Sequence, residues 1–364
     1  MKRRVFAKLA GLGALSMQAL PSLVVADMSS SSARIPLGLC NHSLRSLRLN
    51  ARQLIEYAIE QKLDSVLLNT FQLFESLEKP YLANLKSLAQ SSGVSIYIGA
   101  GSISKNSTKF SNKYGTAEEL LSEGIRVAST VGSPIVGCRI GNMDDRYSEG
   151  GINEHIEAVI KVMRSMRSQA LDAGIKFAFE NHAGDLRSEE LLALIKETGT
   201  DICGALFDPA NAVWAMEDPM QSLKILGENI ICTSVRDIIA WETKEGATFQ
   251  GMAIGEGMID FRFYAKTMAE FSPGVPLHVE TISNSAREIP YFKPEFWKGF
   301  PHLSASGIID FLKLLKDGIP QQINTPASEI SQKDFDIQHQ QSELLKSFKF
   351  LRKNCNVGQK QILY

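Results

Sequence analysis

The 364-residue sequence has no surplus of either charge. Its 39 lysines and arginines face 40 aspartates and glutamates, for a formal net charge of −1. Such a chain is not drawn to DNA or to anionic membranes by a global field. Cysteine is sparse: Cys40, Cys138, Cys203, Cys232 and Cys355 are odd in number and show no CxxC or other metal-type spacing. Neither a disulfide framework nor a thiolate zinc site is indicated. Four of the five lie in apolar strand-like runs and read as small buried hydrophobes. No GxGxxG loop follows the first strand-like run, which ends Leu39-Cys40-Asn41-His42-Ser43, so the usual mark of a doubly wound nucleotide-binding sheet is missing. With 44% hydrophobic and 22% charged residues, the composition is globular, which excludes disordered and fibrous chains.

The N-terminus reads as an address. Lys2, Arg3, Arg4 and Lys8 precede an apolar run from Leu9 to Val25, and Val24-Val25-Ala26 offers small side chains for cleavage. The run is too short and too interrupted to span a bilayer, so residues 1–26 are expected to be a signal peptide. Arg3-Arg4 with Phe6 and Lys8 resembles a twin-arginine export signal. The expected location is the periplasm or another exported compartment, with no membrane attachment after cleavage. Residues 27–34, rich in serine, would be a flexible leader.

From Arg34 onward, short apolar runs alternate with helical patterns. Eight runs read as strands: Ile35–Cys40, Ser65–Asn69, Ser95–Gly99, Ile135–Ile140, Lys176–Glu180, Ile202–Asp208, Ile231–Val235 and Leu277–Glu280. They lack strict alternation, as parallel strands covered on both faces do. Between them, Thr116 and Glu119 form a capping box. Ser188 starts a helix that Gly199 stops. Apolar stripes mark helices at Tyr81-Leu85-Leu88, at Ile152 through Met166, and at Ile308-Phe311-Leu312-Leu315. Eight strand–helix units over residues 35–317 predict an α/β fold, a (β/α)8 TIM barrel, whose typical length is ~250 residues. A doubly wound sheet is the alternative. Residues 318–364 read as a linker, rich in Pro, Gln, Asn and Ser up to about residue 334, and a helix over Ser342–Lys353. That helix would pack Leu344, Leu345, Phe348 and Leu351 on the barrel or on a partner subunit, which leaves a homo-oligomer open.

In such a barrel, chemistry sits at the carboxyl ends of the strands. The fifth run ends Phe179-Glu180-Asn181-His182, the sixth ends Phe207-Asp208, and the eighth ends Val279-Glu280. An acid after an apolar run is costly to desolvate without a partner. Three converging carboxylates repel, and a divalent cation relieves that repulsion. Oxygen ligands favour a hard ion, Mn²⁺ or Mg²⁺. The alternative is that each acid caps the following helix or pairs with a basic neighbour.

The runs FENHAGD, GALFDPAN, SVRD, GEGMIDF and HVETIS, from Phe177 to Glu280, resemble the xylose isomerase-like TIM-barrel family of sugar isomerases and epimerases. That family includes ketose 3-epimerases, hydroxypyruvate isomerase and inosose dehydratase, with endonuclease IV more distant. The resemblance implies metal ligation by Glu180, Asp208 and Glu280. Where the family carries a ligating His, this chain has Ser234, two residues before Arg236-Asp237. The resemblance also implies that Glu180 and Glu280 move a proton beside a sugar carbonyl through an enediolate, and that His182, Asn211, Trp214 and Arg236 contact substrate. Asn211 and Trp214 are expected on the loop after strand six. Arg236 would neutralise the enediolate or grip an anionic substrate, or else serve as a buried partner for Asp208 or Asp237. Trp214 would stack on a sugar ring or simply pack a lid. His278, one layer below Glu280, is read as a core histidine.

The implied function is a divalent-metal-dependent isomerase or epimerase of a small sugar or keto-sugar. A lyase or dehydratase on 3-keto-glycosides uses the same site, and a non-catalytic sugar-binding barrel is a further alternative. A nuclease like the distant relative is not indicated. The six histidines (His42, His155, His182, His278, His302, His339) are scattered rather than clustered for three zinc ions, and no nucleic-acid partner is expected.

Overall fold

The computed structural model describes residues 34–282 and 284–358. The signal-peptide segment 1–26, and the leader apart from Arg34, lie outside the described residues. In chain order the strands are β1 (Leu37–Cys40), β2 (Ser65–Leu68), β3 (Ser95–Ser102), β4 (Ile135–Arg139), β5 (Lys176–Glu180), β6 (Cys203–Phe207), β7 (Ile230–Thr233), β8 (Asp237–Thr243), β9 (Gly246–Met252), β10 (Leu277–Val279) and β11 (Ala286–Ile289). The α-helices are α1 (Ala51–Glu60), α2 (Lys79–Ser91), α3 (Ala117–Val131), α4 (Gly151–Ser165), α5 (Arg167–Ala173), α6 (Ser188–Thr198), α7 (Pro209–Trp214), α8 (Pro219–Leu226), α9 (Phe261–Phe271), α10 (Ile309–Lys316) and α11 (Gln332–Asn354).

Eight of these strands pair in parallel in the order β10-β1-β2-β3-β4-β5-β6-β7. A bridge between Val235 and Val279 closes the ring, with Val235 N donating to His278 O at 2.7 Å and Glu280 N donating to Val235 O at 2.8 Å. The result is a TIM barrel. Its interior holds Cys40, Leu67, Ile135, Ala178, Leu206 and Cys232. A larger core lies between the strands and the surrounding helices. Because both faces of every barrel strand are covered, the strands are legible as apolar runs rather than as alternating ones. Cys40, Cys138, Cys203 and Cys232 are buried and all five cysteines are free.

Local chemistry explains several boundaries. In the capping box of α3, Glu119 N donates to Thr116 Oγ1 (3.2 Å) and Thr116 N to Glu119 Oε2 (2.7 Å). Such a cap is worth about 1 kcal/mol. Gly38 of β1 lies between Ser65 and His278, and a Cβ there would sit 2.4 Å from both side chains. Glycine is what lets His278 enter the barrel interior.

The structure departs from the sequence reading in three places. First, β8 and β9 form an antiparallel hairpin, joined by β11 into a separate sheet ordered β11-β9-β8; none of the three reads as a strand among the eight apolar runs. Second, the terminal helix starts at Gln332 rather than Ser342. Ser331 Oγ accepts from Asp334 N (3.1 Å) to begin it. Eight of its first ten residues are polar, with only Phe335 and Ile337 apolar, so the apolar stripe appears in its second half. Third, Leu344, Phe348 and Leu351 are buried but Leu345 is exposed.

This helix packs on its own barrel. Gln340 bonds Ser46, Ser347 Oγ accepts from Ile254 N at 2.9 Å, and Val357 bridges Ile35 beyond it. Burying its three apolar side chains contributes roughly 1.5–3 kcal/mol each as an upper bound. Among the described residues no helix is long and apolar enough to cross a membrane.

Candidate active site

Each acid singled out in the sequence ends a barrel strand, and the three converge. One carboxylate oxygen each from Glu180, Asp208 and Glu280 lie within 4.8 Å of one another. All three residues are buried. Their backbones are fixed before their side chains are. Asn181, next to Glu180, accepts from Asp208 N (2.9 Å) and donates to Asp208 O (2.9 Å), locking the end of β5 to the end of β6. Asp208 also caps α7, its Oδ1 accepting from Ala210 N (2.8 Å) and Asn211 N (3.3 Å). Glu280 Oε1 accepts the Cys40 thiol at 3.5 Å.

Burial dominates the electrostatics. It raises Glu180 to about 8, with the Arg139 guanidinium opposing and Glu280 and Asp208 adding to the rise. It raises Asp208 to about 7, with Arg236 opposing. Arg139 Nη1 stands 3.9 Å from Glu180. Arg236 Nη2 donates to Asp208 Oδ2 (2.8 Å) and to Asn211 Oδ1 (2.7 Å). Of the roles open to Arg236, partnership with Asp208 is therefore realised. Asp208 does what an isolated strand-end acid does, capping a helix and pairing with a cation, while also joining the carboxylate cluster. Asp237 takes no part. Its carboxylate accepts from the backbone N–H groups of Ile238, Gly255, Gly257 and Ile259 at 2.9–3.1 Å and ties the GEGMIDF loop to the start of β8.

Ser234, at the family's histidine position, is buried and its Oγ has no hydrogen-bond partner in normal geometry; the Cys40 thiol lies beside it. Three close carboxylates match the oxygen-rich donor set of a hard divalent ion. Glu180, Asp208 and Glu280 would be able to hold one.

Above this floor is a cavity of about 180 Å³. His182, Asn211, Trp214 and Arg236 all line it, together with Glu280. His182 Nδ1 meets Gly141 O, which assigns the proton to Nδ1 and leaves Nε2 bare. Burial holds this imidazole well below its usual pKa. Asn211 and Trp214 sit on α7 rather than on the expected loop, because Asp208 as cap and Pro209 as first residue start a helix at once. Trp214 meets Phe249 edge to face at 5.5 Å. His278 lies below the site: Nε2 pairs with Ser65 Oγ (3.1 Å), Nδ1 with Thr233 O (3.0 Å), and burial lowers it to about 3. It is a neutral core histidine.

The cavity also contains residues the sequence reading passed over: His42, Asn69, Arg139, Phe249 and Arg287. Three of them follow or end β1, β2 and β4. The rule that located Glu180 applies equally to the first four strands, and Asn69 and Arg139 are polar strand ends of the same kind. Phe249 and Arg287 belong to the inserted sheet, and no barrel rule points to them.

The profile for xylose isomerase-like TIM barrels matches residues 56–297. The uncharacterized protein YihM of Escherichia coli (strain K12) is 26% identical over 151 residues, 42% of this chain and 45% of that protein; the match thus spans less than half the length of that relative. A D-psicose 3-epimerase solved with D-tagatose, from Clostridium cellulolyticum H10, superposes with a TM-score of 0.58 at 12% identity, over 88% of this chain and 99% of its own. The IolI protein, solved with a bound zinc atom, superposes with a TM-score of 0.52 at 16% identity, over 79% of this chain and 100% of its own. At these identities the superpositions show the fold alone. With the profile covering well over half its length, this chain belongs to the xylose isomerase-like TIM-barrel family.

Proposed function

We propose that this protein is a divalent-metal-dependent isomerase or epimerase that moves a proton on the carbon beside a sugar carbonyl. One observation carries the reading: three buried carboxylates lie within 4.8 Å of one another, and one of them, Glu280, lines a cavity together with the hydrogen-bond donors Asn211, Arg139 and Arg236. Glu180, Asp208 and Glu280 would hold the ion, with the Ser234 hydroxyl where the family places an imidazole. When bound, a divalent ion polarises a carbonyl oxygen as a Lewis acid and makes the adjacent C–H bond acidic.

The chain's own residues do the rest. Glu180 at the end of β5 and Glu280 just after β10 would take and return the proton. Arg139 stands beside Glu180 and offsets negative charge there. Asn211 presents a buried amide Nδ2 with no partner, a ready donor to a substrate hydroxyl. Trp214 and Phe249 supply an apolar wall against which a sugar ring would lie. Mn²⁺, which the oxygen donor set favours, and the zinc bound in IolI are both compatible with three carboxylates.

The test is exchange of the substrate α-proton with solvent deuterium, followed by NMR on a panel of ketohexoses and 3-keto-glycosides, with the metal-loaded protein. Exchange that needs the ion and is lost in Glu180→Gln supports the reading. Tight sugar binding with no exchange in the loaded wild type would leave a non-catalytic sugar-binding barrel. We also place the activity in an exported compartment, on the Arg3-Arg4 pattern of the sequence. Substituting both arginines by lysine should retain the protein in the cytoplasmic fraction, and unchanged export would refute a twin-arginine route.

A further inference from the structure

Three arginines line the cavity: Arg139 from β4, Arg236 from the link between β7 and β8, and Arg287 from β11. They equal in number the three carboxylates of the floor. A divalent ion on those carboxylates leaves the pocket with a net charge of +2.

The charges are also separated in space. The carboxylates are buried at the floor, where Arg139 and Arg236 lie against Glu180 and Asp208. Arg287 is exposed. It forms no ion pair among the described residues and donates only to the carbonyl of its neighbour Ala286 (3.0 Å). Its guanidinium stands 5.8 Å from the centre of the Trp214 ring, and it pairs across the inserted sheet with Phe249. The unpaired cation therefore sits at the rim, against the aromatic wall, where nearby apolar surface strengthens a charge contact.

The remaining polar valences point the same way. Arg139 Nε, Arg236 Nε and Asn211 Nδ2 are buried with no hydrogen-bond partner. All three are donors, so they call for oxygen lone pairs.

We infer that the substrate is an acidic sugar, with its carbonyl end on the floor and a terminal oxyanion held by Arg287 at the rim. Arg287 is then a specificity-determining residue of the inserted sheet and touches no reacting atom. This inference rests on the proposed function for the placement of the carbonyl end.

The experiment is calorimetric titration of the Mn²⁺-loaded protein with three sugars alike at the carbonyl: D-fructose, D-fructuronate and D-fructose 6-phosphate. The wild type should bind an oxyanion-bearing sugar about tenfold or more tighter than D-fructose, an advantage that falls with added salt. The two acidic arms separate a carboxylate site from a phosphate site. Arg287→Gln should weaken binding of the oxyanion-bearing sugar at least about tenfold more than that of D-fructose, while Arg287→Lys should keep part of the advantage. Equal or tighter binding of D-fructose, or an equal loss for all three sugars in Arg287→Gln, overturns the inference. Binding is read without turnover, so selective binding with no deuterium exchange would sink the proposed reaction and not this assignment. Exchange of all three sugars at equal affinity would do the reverse.

Discussion

The floor and the wall of the cavity are built from different material. The floor consists of barrel strand ends: Glu180, Asp208 and Glu280 are buried, and each backbone is held by a neighbouring strand or by a helix cap. The wall consists of α7 and the inserted sheet, with Trp214, Ile238, Phe249 and Arg287, and its outer members are partly open to solvent. The contrast separates two tasks. Proton transfer needs groups held within a fraction of an ångström, which the hydrogen-bonded barrel supplies. Choice of substrate needs surface that can differ between relatives without disturbing the barrel, which an insertion supplies. Floor substitutions should therefore change turnover at nearly constant affinity, and wall substitutions should do the opposite.

The largest effect belongs to the floor. Glu180→Gln keeps the shape of the side chain but removes the base, so deuterium exchange should fall by about 10³-fold or more with little change in sugar affinity. The melting transition followed by circular dichroism should remain cooperative. Exchange within tenfold of wild type would take Glu180 out of the reaction and break the contrast at its centre. A smaller effect concerns the ion. Ser234 offers a hydroxyl where imidazole would be a far better ligand. Ser234→His should tighten Mn²⁺ binding by roughly 10-fold or more, read by calorimetry on protein stripped with chelator. Unchanged affinity would mean that position 234 does not face the ion.

The same division governs what the sequence discloses. The barrel is legible because strands covered on both faces must be apolar throughout, and the eight runs read from periodicity coincide with its eight strands to within a few residues. The acids at their ends are legible because a carboxylate after Phe179, Phe207 or Val279 has no reason to be there for packing. The wall is not legible in that way. β8 reads DIIAWET and β9 reads GATFQGM, too mixed to stand out between barrel strands. Their signal was the turn Lys244-Glu245-Gly246, with Gly246 at φ +143°, a conformation that favours glycine. Arg139 and Asn69 were accessible to the strand-end rule and needed only its extension to the first half of the barrel. The polar start of α11 was not accessible, because Phe335 and Ile337 alone make no helical stripe before Leu344.

Trp214 sharpens the contrast from the wall side. Its ring lies between Phe249, at 5.5 Å edge to face, and the guanidinium of Arg287 at 5.8 Å. An aromatic contact of this kind is worth about 0.5–1.5 kcal/mol beyond area. Trp214→Ala should thus raise KM by roughly 3- to 10-fold with kcat within about twofold. A kcat loss as large as that of Glu180→Gln would place Trp214 in the reaction itself and erase the distinction between wall and floor.

The smallest effect lies one layer beneath the floor, at His278. Burial lowers its pKa to about 3 from an ordinary value near 6.5, so the folded protein holds it neutral across the range in which the unfolded chain takes up a proton. The sign follows. Above pH 6.5 neither state binds that proton and His278 leaves stability untouched; as the pH falls from 6.5 towards 3 the unfolded state gains protons that the folded state refuses, and stability is lost. His278→Asn retains a donor for Thr233 O but cannot titrate. It should melt at a lower temperature than wild type at pH 8, because the ring's packing against Tyr97 is gone, yet its melting temperature should fall by several degrees less between pH 7 and pH 4. His42 and His182, whose imidazoles burial also holds below their usual pKa, contribute in the same direction, and the buried acids Asp185 and Glu217, raised to about 7, in the opposite one. Parallel melting curves for the two proteins across that interval would show that the layer under the floor accepts a proton, and the floor would then be less rigid than its hydrogen bonds imply.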